Sequence, residues 1–495
     1  MDEKVLFSKE TASQAPAQVQ EVVTGVYGPE KAVEAPQEPV AQVAPVSPQV
    51  EQPPASSATP LPPPPPDSFL AGKLKYILIG VVAIIIMALL AVFVFSRGSK
   101  EKPAGNVTLT YWGLFEDPQV MNVLINDFHK ANPTISVTYV KKDIDNYRKS
   151  LVTQISNGNG PDIYRFHNSW TGMMKDYLSP LSDSVVPPDD FKKNYFSVVQ
   201  QDMVRNGALY GLPLGVDTLS LYVNTEMFKA SGYSVPQTWD EFVQIAKNLT
   251  VKDQSGVIKT SGAALGTYDN IAHAPDIIAL LMAQNGADFS NFAKTQAASA
   301  QALEFYTSFA RDEGNSWDTS MDPSLTAFAK GNLAMYFGYS WDVFAIKAMS
   351  PDLDFTTHPV PNLPERKLAI ASYWAEGVSA KSLHQKEAML FMQYLAKKET
   401  LQKFYSEVAK TRLFGEPYPR SDLASSLASN PLVAPFVTQA SYATSSYFSS
   451  DTSDDGINAQ MNGYLGNAVR GNVSAESSIE TLTQGVLQVL TQYGQ

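Results

Sequence analysis

The chain has no cysteine among its 495 residues, which excludes disulfides, thiolate-bound metals, a cysteine nucleophile and a lipid-bearing cysteine. It also lacks an excess of positive charge. Its 37 Lys plus Arg stand against 49 Asp plus Glu, a formal charge of −12, whereas a nucleic-acid binder needs a basic face to meet phosphates. No HExxH, GxSxG or GxxxxGK[ST] occurs, and the five histidines, His129, His167, His273, His358 and His384, have no metal-ligand spacing. Enzymes that depend on those motifs are excluded, and neither a metal nor a cofactor is expected. A pair of carboxylates acting across a cleft, as in a glycosidase, stays open, because any two acids could supply it.

Apolar residues are scarce at the start of the chain. Residues 1–70 hold 14 of the 33 prolines, including an unbroken run at 62–66. Their three lysines face nine acids, so this stretch can neither bury enough surface to offset ordering entropy nor avoid self-repulsion. Residues 1–72 read as a disordered acidic tail, with the proline run a stiff spacer rather than an SH3-like ligand. Next comes YILIGVVAIIIMALLAVFVF at 76–95, 20 residues without a charge, enough for a helix of about 30 Å. A signal-peptide h-region is shorter, lies near the N-terminus and ends in small residues, but here some 75 residues precede the run and Phe93, Val94 and Phe95 end it. Residues 73–97 are therefore expected to be an uncleaved single-pass anchor. Lys73 and Lys75 on one side against Arg97, Lys100 and Lys102 on the other give no orientation. A short linker, 98–105, would tether a domain spanning 106–495.

That domain opens with alternating strand and helix signals. Val107, Leu109 and Tyr111 alternate with polar neighbours, and Val120, Met121, Leu124, Ile125 and Phe128 make a helical stripe that stops at Asn132 and Pro133. Ile135, Val137 and Tyr139 form a second strand pattern, Tyr147, Leu151 and Ile155 a second helix ended by Gly158, and residues 162–166 a third strand. A βαβαβ order implies a parallel sheet that meets ligands at the carboxyl ends of its strands, where Trp112 and the 166–170 loop lie. Thr238 and Glu241 form a capping box opening a helix over 239–249. Residues 251–258 read as a hairpin. Its turn, and the run Asp451, Asp454, Asp455 and Gly456, read as solvated rather than as calcium loops.

Several phrases, in order, resemble the bacterial extracellular solute-binding proteins of the maltose-binding type. They are Y-W-G from Tyr111, F-H-K-A-N-P-T-I-S-V from Phe128, N-G-N-G-P-D-I from Asn157 and G-L-P-L-G-V-D-T-L-S-L-Y-V-N from Gly211. P-Q-T-W-D-E-F from Pro236, F-A-K-G-N-L-A-M from Phe328, G-Y-S-W ending at Trp341 and W-A-E-G-V-S-A-K-S from Trp374 follow. The departure is at the N-terminus, where the family usually has a cleaved signal or a lipidated cysteine. The resemblance implies an α/β, two-lobed periplasmic-binding-protein type II fold with a hinge. Lobe 1 would take 106–213 and 376–420, and lobe 2 would take 214–375 and 421–495.

It also implies a function: the receptor of an ABC importer, a monomer on the extracellular side of the cytoplasmic membrane, passing a carbohydrate, by preference an oligosaccharide, to permease subunits. A surface sensor or adhesin, or a receptor for another solute, are the alternatives, with a glycoside hydrolase behind them. Sugars show flat C–H patches and a rim of hydroxyls, so a site needs aromatic faces beside carboxylates, amides or arginine. The candidates are Trp112, Phe166, Trp170, Trp341 and Trp374 with Glu116, Asp117, Asp217, Asp269, Glu376 and Arg412. By resemblance Trp341 matches a stacking tryptophan and Asp217 an acidic cleft position. Trp239 and Trp317 read as packing residues.

Overall fold

The computed structural model describes residues 106–311, 314–453 and 456–493. The expected tail, anchor and linker lie outside the described residues, among which no helix is long and apolar enough to cross a membrane.

The first half is built as the hydrophobic periods predict. Strand β1 (Val107–Gly113) leads to helix α1 (Pro118–Ala131), strand β2 (Ile135–Lys141), helix α2 (Tyr147–Ser156) and strand β3 (Ile163–His167). Asp117 caps α1 by accepting from the Gln119 N–H at 2.7 Å, with Pro118 in the first turn where a missing N–H costs nothing. The stripe Val120, Met121, Leu124, Ile125 and Phe128 is buried. Gly158, at φ 75°, ends α2 in a conformation that costs other residues a Cβ clash. Short strands β4 (Leu178–Ser179) and β5 (Leu212–Pro213) follow.

At β6 (Asp217–Thr218) the chain leaves for a second sheet, of β7 (Ser220–Asn224), β8 (Val251–Lys252), β9 (Ile258–Ala263), β10 (Leu333–Gly338) and β11 (Phe355–His358). Helices α3 (Trp239–Leu249), α4 (Ala274–Gln284), α5 (Gln296–Arg311) and α6 (Asp342–Met349) belong to this half. The expected capping box of α3 is formed, and β8 and β9 make the expected hairpin. Trp239 and Trp317 are buried. The chain returns through β12 (Ala369–Ser372) and β13 (Trp374–Ser379), adds α7 (Gln385–Leu395) and α8 (Lys398–Val408), and finishes with β14 (Ala443–Thr444), α9 (Ile457–Arg470) and α10 (Ala475–Gln492). Helix α8 packs on α1, whereas α10 packs on α5.

Among the described residues the first sheet runs β2-β1-β3-β13-β4 with β5 beside β13, the second runs β8-β9-β10-β7-β11, and β14-β12-β6 form a small sheet where the chain crosses. Strands β1, β2 and β3 are parallel as expected, but β13 is antiparallel to β3, so the sheet is mixed. Trp374 and Ala375, which the sequence placed in lobe 2, pair with His167 and Phe166 in the first sheet. The two halves thus share three crossings, and the cavity lies where those crossings begin and end.

Candidate functional site

Beside the crossing strands lies a cavity of about 390 Å³. Five of the sequence candidates line it: Glu116, Asp217, Trp341, Trp374 and Arg412. With them stand Phe115, Arg165, Ser340, Phe344, Tyr373, Glu416 and Asp451.

The turn from β10 into α6 positions Trp341. A Cβ at Gly338 would run into the Asp342 carboxylate and the Tyr336 ring, so only glycine lets the chain turn this tightly. The Trp341 ring stacks on Tyr339 with centroids 4.5 Å apart and planes 17° from parallel. Tyr339 is itself pinned, its hydroxyl donating to Asp276 Oδ1 at 2.8 Å. One Trp341 face is thus taken by a fixed tyrosine, and the residue still borders the cavity. Trp374, at the start of β13, packs edge-on against Phe115 at 5.5 Å and Trp170 at 5.1 Å.

Asp217 is nearly buried, and its oxygens accept from the Thr218 N–H at 2.8 Å and the Ser340 N–H at 2.9 Å. Burial pushes its carboxyl up to about 8 even though these donors favour the charged form. The two backbone bonds hold its carboxyl group at the cavity wall. At the floor, Arg165 holds two acids: Nη1 donates to Glu116 Oε1 at 2.6 Å and Nε to Glu376 Oε1 at 2.9 Å. Burial opposes the guanidinium's charge, but the two carboxylates outweigh it and raise its pKa well above normal. Burial also raises Glu376 despite the arginine, and among the described residues its Oε2 has no hydrogen-bond partner. Arg412, also in the lining, pairs with Glu416, donates to the Phe414 carbonyl at 2.9 Å and lies over the Phe344 ring at 4.7 Å. Both arginines of the lining are therefore committed to protein acids.

The remaining candidates sit elsewhere. Trp112 lies under Lys142, whose Nζ is 3.9 Å from its ring, and is not part of the cavity lining. Phe166 and Trp170 are fully buried, and the Trp170 Nε1 donates to Asn458 Oδ1 at 2.7 Å, so both are core. Glu376 is fully buried, held by Arg165, and is not part of the cavity lining. Asp269 is an exposed acid paired with Arg470 at 2.9 Å and does not reach the cavity. Asp117 caps α1.

Asp451 is the converse case. The sequence read it as solvated, yet it lines the cavity, with Ser372 Oγ and Ser449 Oγ both donating to it. The bond from Ser449 is local, but the one from Ser372 forms only because the crossing at β12 brings that strand alongside. Arg165 did carry a signal: a lone charge inside the otherwise uncharged strand IYRFH must be paired or exposed. Among the described residues no group of acids and histidines could hold a metal ion.

Residues 112–402 match the family described as bacterial extracellular solute-binding protein. The chain is 27% identical over 358 residues to a multiple sugar-binding protein of Streptococcus mutans serotype c, an alignment that takes in 66% of this chain and 80% of that protein. In fold it is similar to a cyclo/maltodextrin-binding protein solved with maltotetraose, at a TM-score of 0.64 and 19% identity, over 79% of this chain and 99% of the other. It is similar also to the sugar-binding protein MalE from Xanthomonas citri, at a TM-score of 0.62 and 22% identity, over 78% of this chain and 98% of that one.

Proposed function

Because the chain belongs to the bacterial extracellular solute-binding protein family, we propose that it is the receptor of an ABC importer and captures an uncharged sugar in this cavity for delivery to the permease. The observation that carries this reading is the lining itself: aromatic Trp341, Trp374, Phe115 and Phe344 stand beside Asp217, Glu116 and Asp451, while Arg165 and Arg412 are already neutralised. Aromatic faces suit the C–H patches of a sugar and the carboxylates suit its hydroxyls. A phosphorylated sugar would need an unpaired cation, and among the described residues the lining offers none. The volume is near the low end of the roughly 300 to 1,000 Å³ usual for ligand pockets, which favours a short sugar.

The two sheets are the lobes of this reading. Their crossings near β6, β12 and β13 act as the hinge, and a sugar drives closure only by the difference between its affinity for closed and open forms. The receptor acts as a monomer that binds without turnover. Thermal melting of the protein with glucose, maltose, maltotriose, mannobiose and glucose 6-phosphate tests it. At 100 times Kd a ligand adds about 2.7 kcal/mol of stability, a readily seen shift. At least one neutral sugar should raise the melting temperature and be recovered with unchanged mass. Stabilisation by glucose 6-phosphate alone, or catalytic release of shorter sugars, would overturn the reading.

Residues 76–95 complete it as an anchor that holds the receptor on the outer face of the cytoplasmic membrane with its N-terminus inside. The mature protein should then keep residues 1–75 and stay with the membrane fraction through high-salt washing. Recovery of a soluble form beginning near Arg97 sinks this part of the proposal alone.

A further inference from the structure

Asp451 reaches the cavity from a segment without regular structure, and an acid in such a loop is ordinarily mobile. Here the segment is held on both sides by groups from both halves of the fold. Ser445 Oγ donates to Asp202, on the helix Ser197–Met203 of the first half. The Tyr447 carbonyl accepts from Asn458 Nδ2 at 2.7 Å, and the same asparagine binds Trp170 and Ser169 after β3. Ser450 shares a hydrogen bond with His273 Nδ1 at 2.8 Å, and its N–H donates to Asp276 Oδ2 at 3.1 Å, both in the second half. The Ser449 carbonyl accepts from Asn462 Nδ2 at 2.6 Å. The loop is a strap tied at nearly every residue, so its carboxylate is placed in advance of any ligand, which removes the ordering cost of using it.

The two hydroxyls that hold the carboxylate choose the same oxygen. Ser372 Oγ donates to Oδ1 at 3.0 Å and Ser449 Oγ to Oδ1 at 2.5 Å, and His167 Nε2 stands 3.5 Å from that atom as well. Among the described residues Oδ2 accepts no hydrogen bond. We propose that Asp451 is a specificity-determining residue of the sugar site, its Oδ2 accepting from one ligand hydroxyl on the Trp374 side of the cavity while Oδ1 is used to hold the side chain in place. This rests on the carbohydrate reading above. His167 links the two features, since its ring lies 5.2 Å from that of Trp374 and its Nε2 is beside Asp451. A sugar lying against Trp374 meets an acceptor at its rim whose position is set by the protein rather than by the ligand.

The substitution Asp451→Asn separates the roles of the two oxygens. An amide oxygen at Oδ1 still accepts from both serines, so the strap keeps its bonds, while the other position changes from acceptor to donor. Titration calorimetry of the full chain in mild detergent, with glucose, maltose, maltotriose and mannobiose, supplies the readout. The wild type should bind at least one, and Asp451→Asn should bind the same sugar about tenfold or more weakly with an unaltered melting temperature in the absence of sugar. Among monodeoxy forms of that sugar, one should bind the wild type about tenfold more weakly and lose that deficit in Asp451→Asn. Equal affinity in wild type and variant, or a deficit in every deoxy form that the variant leaves in place, overturns the assignment. Should the variant not fold, Ser449→Ala frees Asp451 from one of its two holders and should weaken binding several-fold, and unchanged affinity there overturns it equally. Absence of binding by the wild type to all four sugars overturns the carbohydrate reading itself, and the assignment with it.

Discussion

Trp341→Ala is expected to weaken sugar binding by about 2 to 4 kcal/mol, roughly 30- to 1,000-fold in Kd, while the domain stays folded. The size follows from geometry. A tryptophan backed by a pinned tyrosine has already given up its rotamer freedom, so a ligand stacking on it gains contact area without the cost of ordering it. Its truncation removes that platform but leaves Tyr339 held by Asp276, and the turn at Gly338 does not depend on the indole. Trp341→Phe should recover part of the loss because a smaller aromatic face remains. Calorimetric titration with the best sugar measures the change, and circular dichroism with a melting curve checks the fold. Loss of the folded domain in Trp341→Ala would assign the ring to the core instead.

Arg165→Met is expected to cost about 3 to 5 kcal/mol of folding stability at neutral pH, the usual consequence of removing one partner from a buried ion pair. Here two carboxylates lose the same partner. Glu116 and Glu376 are almost entirely inaccessible, and one Glu376 oxygen already has no hydrogen-bond partner among the described residues. The effect carries a pH signature. Without the guanidinium the folded-state pKa of Glu376, already raised by burial, rises further above its unfolded value near 4.5. The folded state then binds protons that the unfolded state releases, so stability is retained below pH 4.5 and lost as pH rises through the folded-state pKa. Urea unfolding at pH 4.5 and 7.5 should show the variant much closer to wild type at the lower pH, and Glu376→Gln combined with Arg165→Met should recover part of the loss at pH 7.5. An equal loss at both values would mean that the arginine acts by packing its stem, with its charge of no consequence.

Each of these residues was visible in the sequence to a different degree. Trp341 stood at the end of a glycine-containing phrase and lines the cavity. Trp112 and Trp170 were candidates as well, because an aromatic residue at the end of a strand has the same local pattern whether it faces a cleft or a core. Glu376 and Arg165 lie 211 residues apart, so their pairing shows in no window of sequence. Asp269 and Asp451 are both acids in polar loops, and only the first is exposed.

What the sequence determined by itself was local. The period of apolar residues set the order of strands and helices from β1 to β3, the capping box set the start of α3, the excess of acids and the absence of cysteine removed whole classes of function, and a series of short phrases in register carried the family. These signals are complete within a few turns or a strand pair, so no distant contact is needed to read them. The tertiary structure decided the direction of β13 in the first sheet, which aromatic rings reach the cavity, that Arg165 and Arg412 enter it already neutralised, and that Asp451 lines the cavity. The physical reason is common to all of these. Burial and charge pairing depend on which segments meet, and here the segments meet through three crossings that bring residues more than two hundred positions apart into hydrogen-bonding distance.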